Sequence, residues 1–123
     1  MESKHKIGRN MQIVFISGAY SGTKEQTSEY ISIARKAAIK YWELGYAVIC
    51  PHLNSQGMEE DAEVTYAQWL DGYIAILEVC DIVVFLPNWK ESQGAACEFI
   101  IAQGREKKMI FLDLNLEETL LEY

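Results

Sequence analysis

The segment spanning residues 80–104, CDIVVFLPNWKESQGAACEFIIAQG, constrains the fold of this chain more than any other. It begins with a continuous apolar run at residues 82–86, crosses a polar loop and continues into a helical pattern that starts at Ser92. A strand, a loop and a helix start in this order form the ligand-binding corner of an open α/β sheet. Glu98 lies about one turn into the predicted helix, so it is the first candidate for a functional residue.

The remainder of the chain alternates between short apolar runs and helical patterns of apolar residues, which predict strands and helices respectively. Short apolar strands that alternate with helices pair in parallel through crossover connections. The expected fold class is therefore α/β, a three-layer α/β/α sandwich with a small, mainly parallel sheet of flavodoxin-like order. The predicted strands span residues 12–17, 46–50, 82–86 and 109–112, and the predicted helices span residues 27–44, 62–79, 92–104 and 116–121.

Charge and composition exclude several classes of partner. The net charge of −7 leaves no cationic face for a nucleic-acid backbone, so no nucleic-acid partner is expected. The three cysteines lack C-x-x-C spacing, which argues against a metal site. No apolar run is long enough for a bilayer and the polar N-terminus has no signal core, so we expect no membrane partner and a cytoplasmic protein. Residues 1–10 predict a flexible leader, and residues 11–123 predict a single domain.

Glu98 shares a helix face with Gly94 and Ala95, because residues three and four apart stack on one side. These small residues are expected to leave room for a small ring in front of the carboxylate. Amides at the helix start are expected to stabilise its ionised form. The alternative is a solvated helix glutamate. The apolar residues 99–102 beside Glu98 favour the functional interpretation.

The loop SGAYSG, residues 17–22, follows the first predicted strand. Its two glycines let the backbone approach a ligand, and its hydroxyl and N–H groups can hold a phosphate or sugar oxygen. The spacing matches neither a P-loop nor G-x-G-x-x-G, so no dinucleotide cofactor is expected. An ordinary βα turn is the alternative. The candidate binding residues of this loop are Ser17, Gly18, Tyr20 and Ser21.

Two further loops at the same sheet edge add candidates. His52 follows the second strand and can donate to a ligand, or can simply be a satisfied loop histidine. Trp89 can stack on a nucleobase or close the hydrophobic core. Ser92 can cap the third helix, and its hydroxyl or the amides that follow can hold an anion.

Three pieces of sequence, ISGAYSG, GYAVICPH and CDIVVFLPNWKESQGAACE, resemble the nucleoside 2-deoxyribosyltransferase superfamily. The nearest likeness is to its small phage and bacterial members and to the deoxynucleoside 5′-monophosphate N-glycosidases, over residues 11–112. The resemblance implies cleavage or transfer of the N-glycosidic bond of a (deoxy)nucleoside or its 5′-monophosphate. It further implies a small-molecule nucleoside or nucleotide as partner, a homo-oligomer, and no metal or organic cofactor.

In that family the residue that matches Glu98 is a nucleophile that attacks C1′ and forms a covalent glycosyl-enzyme. The loop of residues 17–21 would hold the sugar or its 5′-phosphate. The position of Trp89 in the loop, and not the resemblance, adds the hypothesis that its ring covers the base. Ser92 and Gly94 match positions that bind the 5′ group in monophosphate-specific members.

One position departs from the family pattern. The family usually carries an aspartate eight residues before Asp81, where this chain has Tyr73. The nearest acid is Asp71, which the helical spacing directs toward solvent. Either Asp71 or the Tyr73 hydroxyl substitutes for the aspartate, or the chain is a weak enzyme. The alternative from another class is a nucleotide-binding or sequestering protein without turnover, and an interaction domain without a ligand is a third.

Overall fold

The computed structural model describes residues 10–119 of the chain. The predicted leader lies outside the described residues except for its last position. Within the described range the strands are β1 (Ile13–Ser17), β2 (Ala47–Ile49), β3 (Ile82–Phe85), β4 (Lys108–Leu112) and β5 (Glu118–Thr119). The helices are α1 (Lys24–Glu43), α2 (Pro51–Asn54), α3 (Tyr66–Glu78) and α4 (Gln93–Gly104), with single 3-10 turns at Met58–Glu60 and Trp89–Glu91.

The strands form one sheet in the order β2-β1-β3-β4-β5. The first four are parallel, and β5 pairs antiparallel with β4. The predicted α/β class and mainly parallel, flavodoxin-like order are confirmed. The chain steps from β1 outward to β2 and then returns to the other side of β1 to form β3. Loops therefore diverge at the carboxyl ends of β1 and β3, where open α/β sheets bind ligands.

Two apolar clusters cover the two faces of the sheet and produce the three layers. Alternate residues of a strand point to opposite faces, so Val14 joins the cluster that contains Ala34 and Tyr41 of α1. Phe15 joins the other cluster, with Leu77 of α3 and residues of α4. All of these side chains are buried.

Capping residues decide where the long helices begin. Thr23 and Gln26 form a capping box, so α1 begins at Lys24 and not at the predicted residue 27. Thr65 and Gln68 do the same for α3, which begins at Tyr66 and not at residue 62. The loop predicted after β2 contains α2, which begins at a proline in the favoured first position.

The helix predicted at residues 116–121 is wrong in its described part, because residues 118 and 119 form β5. The Asp113 carboxylate accepts hydrogen bonds from the N–H groups of Asn115 and Glu117, which closes a tight turn. Leu116 adopts a left-handed backbone with φ of 61°. The turn returns the chain antiparallel along β4, and residues 120 and 121 lie outside the described residues.

No helix within residues 10–119 combines the length and the apolar composition that crossing a bilayer requires.

Candidate functional site

An open cleft of about 570 Å³ lies at the carboxyl edge of the sheet. Its walls come from the loop after β1, from the segment after β2, from α3 and from the start of α4. Most of the residues predicted from the sequence to form a site line this cleft. They are Gly18, Tyr20, Ser21, His52, Tyr73, Ser92, Gly94 and Glu98.

Ser17 and Glu98 meet at the base of the cleft. Ser17 is the last residue of β1, and its hydroxyl donates a hydrogen bond to Glu98, with 2.6 Å between Oγ and Oε1. Only 1% of Ser17 and 8% of Glu98 are exposed. Ser17 stands behind the carboxyl group and is not itself part of the cleft lining. Its predicted contact with substrate is therefore replaced by a contact with Glu98.

Burial raises the pKa of the Glu98 carboxyl to about 7, and the hydrogen bond from Ser17 opposes that rise. The expectation that helix-start amides keep the group ionised is wrong. Glu98 lies beyond the first turn of α4, where the field of the helix end has fallen off. Near neutral pH the Glu98 carboxyl is therefore protonated in part of the molecules and ionised in the rest. Groups with a pKa near the working pH are suited to nucleophilic or acid–base chemistry.

The main chain of Ala19 is held at both of its polar groups. Its N–H donates to Asn88 Oδ1 at 2.9 Å, and its carbonyl lies 2.7 Å from His52 Nε2. Because a carbonyl only accepts, His52 carries its proton on Nε2 and donates it to Ala19. Gly18 is required beside this residue, since a Cβ there would lie 2.7 Å from Leu86 Cδ1 and 2.9 Å from Asn88 Oδ1.

His52 lines the cleft, but its role differs from the prediction. Its donor is used by Ala19 and not by a ligand, while Nδ1 has no hydrogen-bond partner among the described residues. Burial lowers the pKa of the imidazole, and the hydrogen bond to Ala19 opposes this shift. His52 is therefore neutral at pH 7 and positions the loop after β1.

The Tyr20 hydroxyl connects the loop after β1 to the 3-10 turn at Met58–Glu60. It donates to Glu59 Oε2 at 2.9 Å and accepts from the N–H of Gly57 at 3.4 Å. The ring also packs edge-on against His52, with 5.8 Å between centroids. Sequence analysis missed Glu59, because one acid in a run of exposed acids carries no local signal.

One wall of the cleft is apolar and aromatic and belongs to α3 and to the residue before its cap. Tyr73 contributes its ring, and its hydroxyl donates to Ser55 Oγ at 2.7 Å and accepts from Asn54 Nδ2 at 3.1 Å. Asp71 is exposed, as predicted, and does not line the cleft. The structure thus gives no support to Asp71 as a catalytic partner. The other members of this wall are Val64, Tyr66, Trp69 and Leu70.

The start of α4 and its cap face the cleft through four consecutive residues, Ser92, Gln93, Gly94 and Ala95. Ser92 caps the helix by accepting a hydrogen bond from the N–H of Ala95 at 3.1 Å. The N–H groups of Gln93 and Gly94 belong to the first turn and have no intrahelical acceptor. A Cβ on Gly94 would lie 3.3 Å from the Tyr66 hydroxyl, so α3 fills part of the space expected in front of Glu98.

Trp89 does not line the cleft, which corrects the prediction that it covers a bound base. Its ring stacks on Phe99 with 4.9 Å between centroids and lies 5.3 Å from Phe85. Only 8% of the residue is exposed. Trp89 instead closes the hydrophobic core, as the alternative interpretation expected, because the 3-10 turn at Trp89–Glu91 folds its ring inward beneath α4.

All charged groups in the lining are acidic. They are Glu59, Glu91 and Glu98, and no lysine or arginine of the described range joins them. Nor do residues 10–119 contain a group of three or more His, Cys, Asp or Glu side chains arranged to hold a metal ion.

Comparison with known proteins identifies a family but not an activity. A family model described as a domain of unknown function, DUF4406, matches residues 12–111. No curated protein is similar enough to the chain to count as a relative. The matched segment begins immediately before β1, ends within β4 and contains every residue that lines the cleft. Because the match extends over most of the chain, the protein belongs to the DUF4406 family.

Proposed function

We propose that this protein cleaves the N-glycosidic bond of a (deoxy)nucleoside or its 5′-monophosphate, by hydrolysis or by transfer of the sugar to another base. The observation that carries the proposal is the Glu98 carboxyl, which is buried at the base of the cleft and held by Ser17. The resemblance to nucleoside 2-deoxyribosyltransferases supplies the role of this residue. Burial supports it, because a poorly hydrated carboxylate is a better nucleophile than one in water.

In the proposed reaction the ionised Glu98 attacks C1′ of the sugar as the C1′–N bond breaks. The bonding electrons leave with the base, which takes up a proton. That proton comes from solvent, because no protein donor among the described residues is directed at the base. Water or a second base then attacks C1′ from the face opposite Glu98, loses a proton to solvent, and releases the carboxylate as the ester bond breaks. The Ser17 hydroxyl keeps the attacking oxygens in place, and two displacements retain the configuration at C1′.

Departure of the base is the weak point of this mechanism. Tyr73 stands where the resembled family carries its aspartate, and its proton is directed at Ser55. Loss of general acid assistance slows such a step by about 10²–10⁴-fold. We therefore expect slow turnover, fastest for bases that leave readily without protonation.

The α3 wall takes over the role predicted for Trp89. Tyr66 and Trp69 line the cleft with aromatic rings, and such rings stack on any nucleobase. Tyr73 extends this surface toward the interior.

Assembly as a homo-oligomer and a cytoplasmic location remain predictions from the sequence.

The second candidate function is nucleotide binding or sequestration without turnover. It is favoured by the same Tyr73 observation, because a cleft can keep its shape and aromatic wall after losing a proton donor. An interaction domain without a ligand is less compatible with a buried carboxyl that lines an open cleft.

Release of free base separates these functions. The protein is incubated with deoxynucleosides, ribonucleosides and their 5′-monophosphates, and the products are resolved by chromatography. We expect wild type and the exposed-acid control Asp71→Asn to release base, and Glu98→Gln to release none. A 2′-fluoro substrate, which slows hydrolysis of the ester, is expected to leave a glycosyl adduct on the peptide that contains Glu98. Equal release by wild type and Glu98→Gln contradicts the mechanism, and binding without release supports sequestration.

A further inference from the structure

The distribution of charge around the cleft bears on which substrate it accepts. Glu59 and Glu91 are exposed, line the cleft and come from two separate 3-10 turns, one after β2 and one before α4. Within residues 10–119 the lining contains no cation that could balance them, and the nearby His52 is neutral. The cleft therefore presents two carboxylates at its surface in addition to Glu98.

We propose that the cleft selects uncharged (deoxy)nucleosides and rejects their 5′-monophosphates, with Glu59 and Glu91 as the specificity-determining residues. This inference rests on the proposed function and names the substrate class of the same site. It runs against the expectation from Ser92 and Gly94, whose positions match phosphate-binding positions in monophosphate-specific members of the resembled family.

Two of the groups that could hold a phosphate are used within the protein. The Tyr20 hydroxyl donates to Glu59, and the N–H of Ala95 donates to Ser92. What remains at the start of α4 is the Ser92 O–H, which can still donate while its oxygen accepts from Ala95, and the N–H groups of Gln93 and Gly94. The helix end adds a partial positive charge of about half an elementary charge. Glu91 lies beside this helix end and offsets that charge.

A neutral sugar is suited to the same groups that repel phosphate. One oxygen of Glu59 accepts from Tyr20, and the second remains able to accept from a sugar hydroxyl. A phosphate monoester has a second pKa of about 6, so at neutral pH it is mostly a dianion without a proton to donate, and it meets carboxylates of the same sign of charge. Like charges at a few ångströms reduce affinity by about tenfold or more, and salt screens part of the effect.

The test compares a nucleoside with its own 5′-monophosphate. We expect kcat/KM for base release to favour the nucleoside by about tenfold or more in about 20 mM salt, with a smaller gap in about 300 mM salt. In the double variant Glu59→Gln/Glu91→Gln, the ratio of kcat/KM for the monophosphate to kcat/KM for the nucleoside rises by about tenfold. The control Glu29→Gln/Glu43→Gln alters net charge equally on exposed positions of α1 and leaves the ratio unchanged.

Calorimetry with Glu98→Gln separates this inference from the proposed chemistry. Tighter binding of the nucleoside supports the inference even when no base is released by wild type. If base is released and kcat/KM for the monophosphate equals or exceeds that for the nucleoside, the inference is overturned and the proposed function still stands. An unchanged ratio in both single variants, Glu59→Gln and Glu91→Gln, and in the double variant also overturns it. Failure to bind either compound, together with no base release by wild type, overturns both.

Discussion

The Ser17 hydroxyl donates a 2.6 Å hydrogen bond to the Glu98 carboxyl across 81 positions of sequence. The bond joins the end of β1 to α4, and these elements flank the point where the order of strands in the sheet reverses direction. Two opposing effects meet at this bond. Burial favours the protonated carboxyl, whereas the Ser17 donor favours the ionised carboxylate that the proposed reaction requires.

Ser17→Ala is expected to move the acidic limb of the pH profile of kcat/KM to higher pH. Removal of a donor to the ionised form raises the pKa of Glu98 further, so less carboxylate is present at pH 7. Activity at pH 7 falls by about threefold to tenfold and recovers above pH 9. Ser17→Thr keeps the hydroxyl and serves as the control. A uniform loss of activity at all pH values contradicts the role of Ser17 in stabilising the ionised carboxylate of Glu98.

Glu98→Gln is expected to stabilise the protein at alkaline pH. The folded-state pKa of about 7 exceeds the ordinary value of 4.5, so the folded protein binds the proton more tightly. This contribution to stability is complete below pH 4.5 and is lost as pH rises through 7. The glutamine stays neutral and still accepts from Ser17, so the variant gains about 2–3 kcal/mol over wild type at pH 8–9. Urea unfolding of both proteins at pH 4.5 and pH 8.5 measures the difference in free energy of unfolding between variant and wild type. The same difference at both pH values contradicts the prediction.

His52→Gln is expected to reduce the loss of stability on acidification. Burial lowers the folded-state pKa of His52, so its contribution is present above the ordinary value of 6.5 and is lost as pH falls. Glu98 changes stability in the opposite direction over the same range. Unfolding is therefore measured from pH 7 to 5 in the Glu98→Gln background, with and without the His52 substitution. If the free energy of unfolding falls more steeply with acidification in the variant that lacks His52, the prediction is contradicted.

Gly18→Ala is expected to destabilise the protein by about 1–3 kcal/mol. The added Cβ meets Leu86 and Asn88 at less than 3 Å, so the loop that Asn88 holds must move. Gly72→Ala is the matched control, because nothing lies within 4 Å of a Cβ on that residue of α3. The control is expected to gain about 0.5–1 kcal/mol. Urea unfolding of both variants checks the opposite signs.

The two tryptophans near the cleft are expected to separate stability from substrate binding. Trp89→Leu removes a ring stacked on Phe99 and lowers the free energy of unfolding by about 2–4 kcal/mol, with little change in KM. Trp69→Leu removes a ring that lines the cleft and raises KM by about tenfold, with a smaller change in stability. The reverse assignment of the two effects would restore Trp89 as the residue that covers the base.

Local patterns in the sequence determined the elements and the class of fold. The apolar runs of β1 and β3, the cap at Ser92 and the order of strands and helices each depend on a few consecutive residues. Residue spacing within α3 likewise placed Asp71 toward solvent. Such features are encoded by side-chain periodicity and capping, which act within one or two turns.

Only the tertiary structure decided which of these residues form the site. Pairing of β1 with β3 and packing of α4 against the sheet bring Ser17 to Glu98, and the turn after β2 brings Glu59 to Tyr20. Burial of Glu98 and Trp89 has the same origin, because each becomes inaccessible only when distant segments cover it. Contacts between residues tens of positions apart, and the pKa values that follow from burial, arise from this packing and have no signature in any short stretch of sequence.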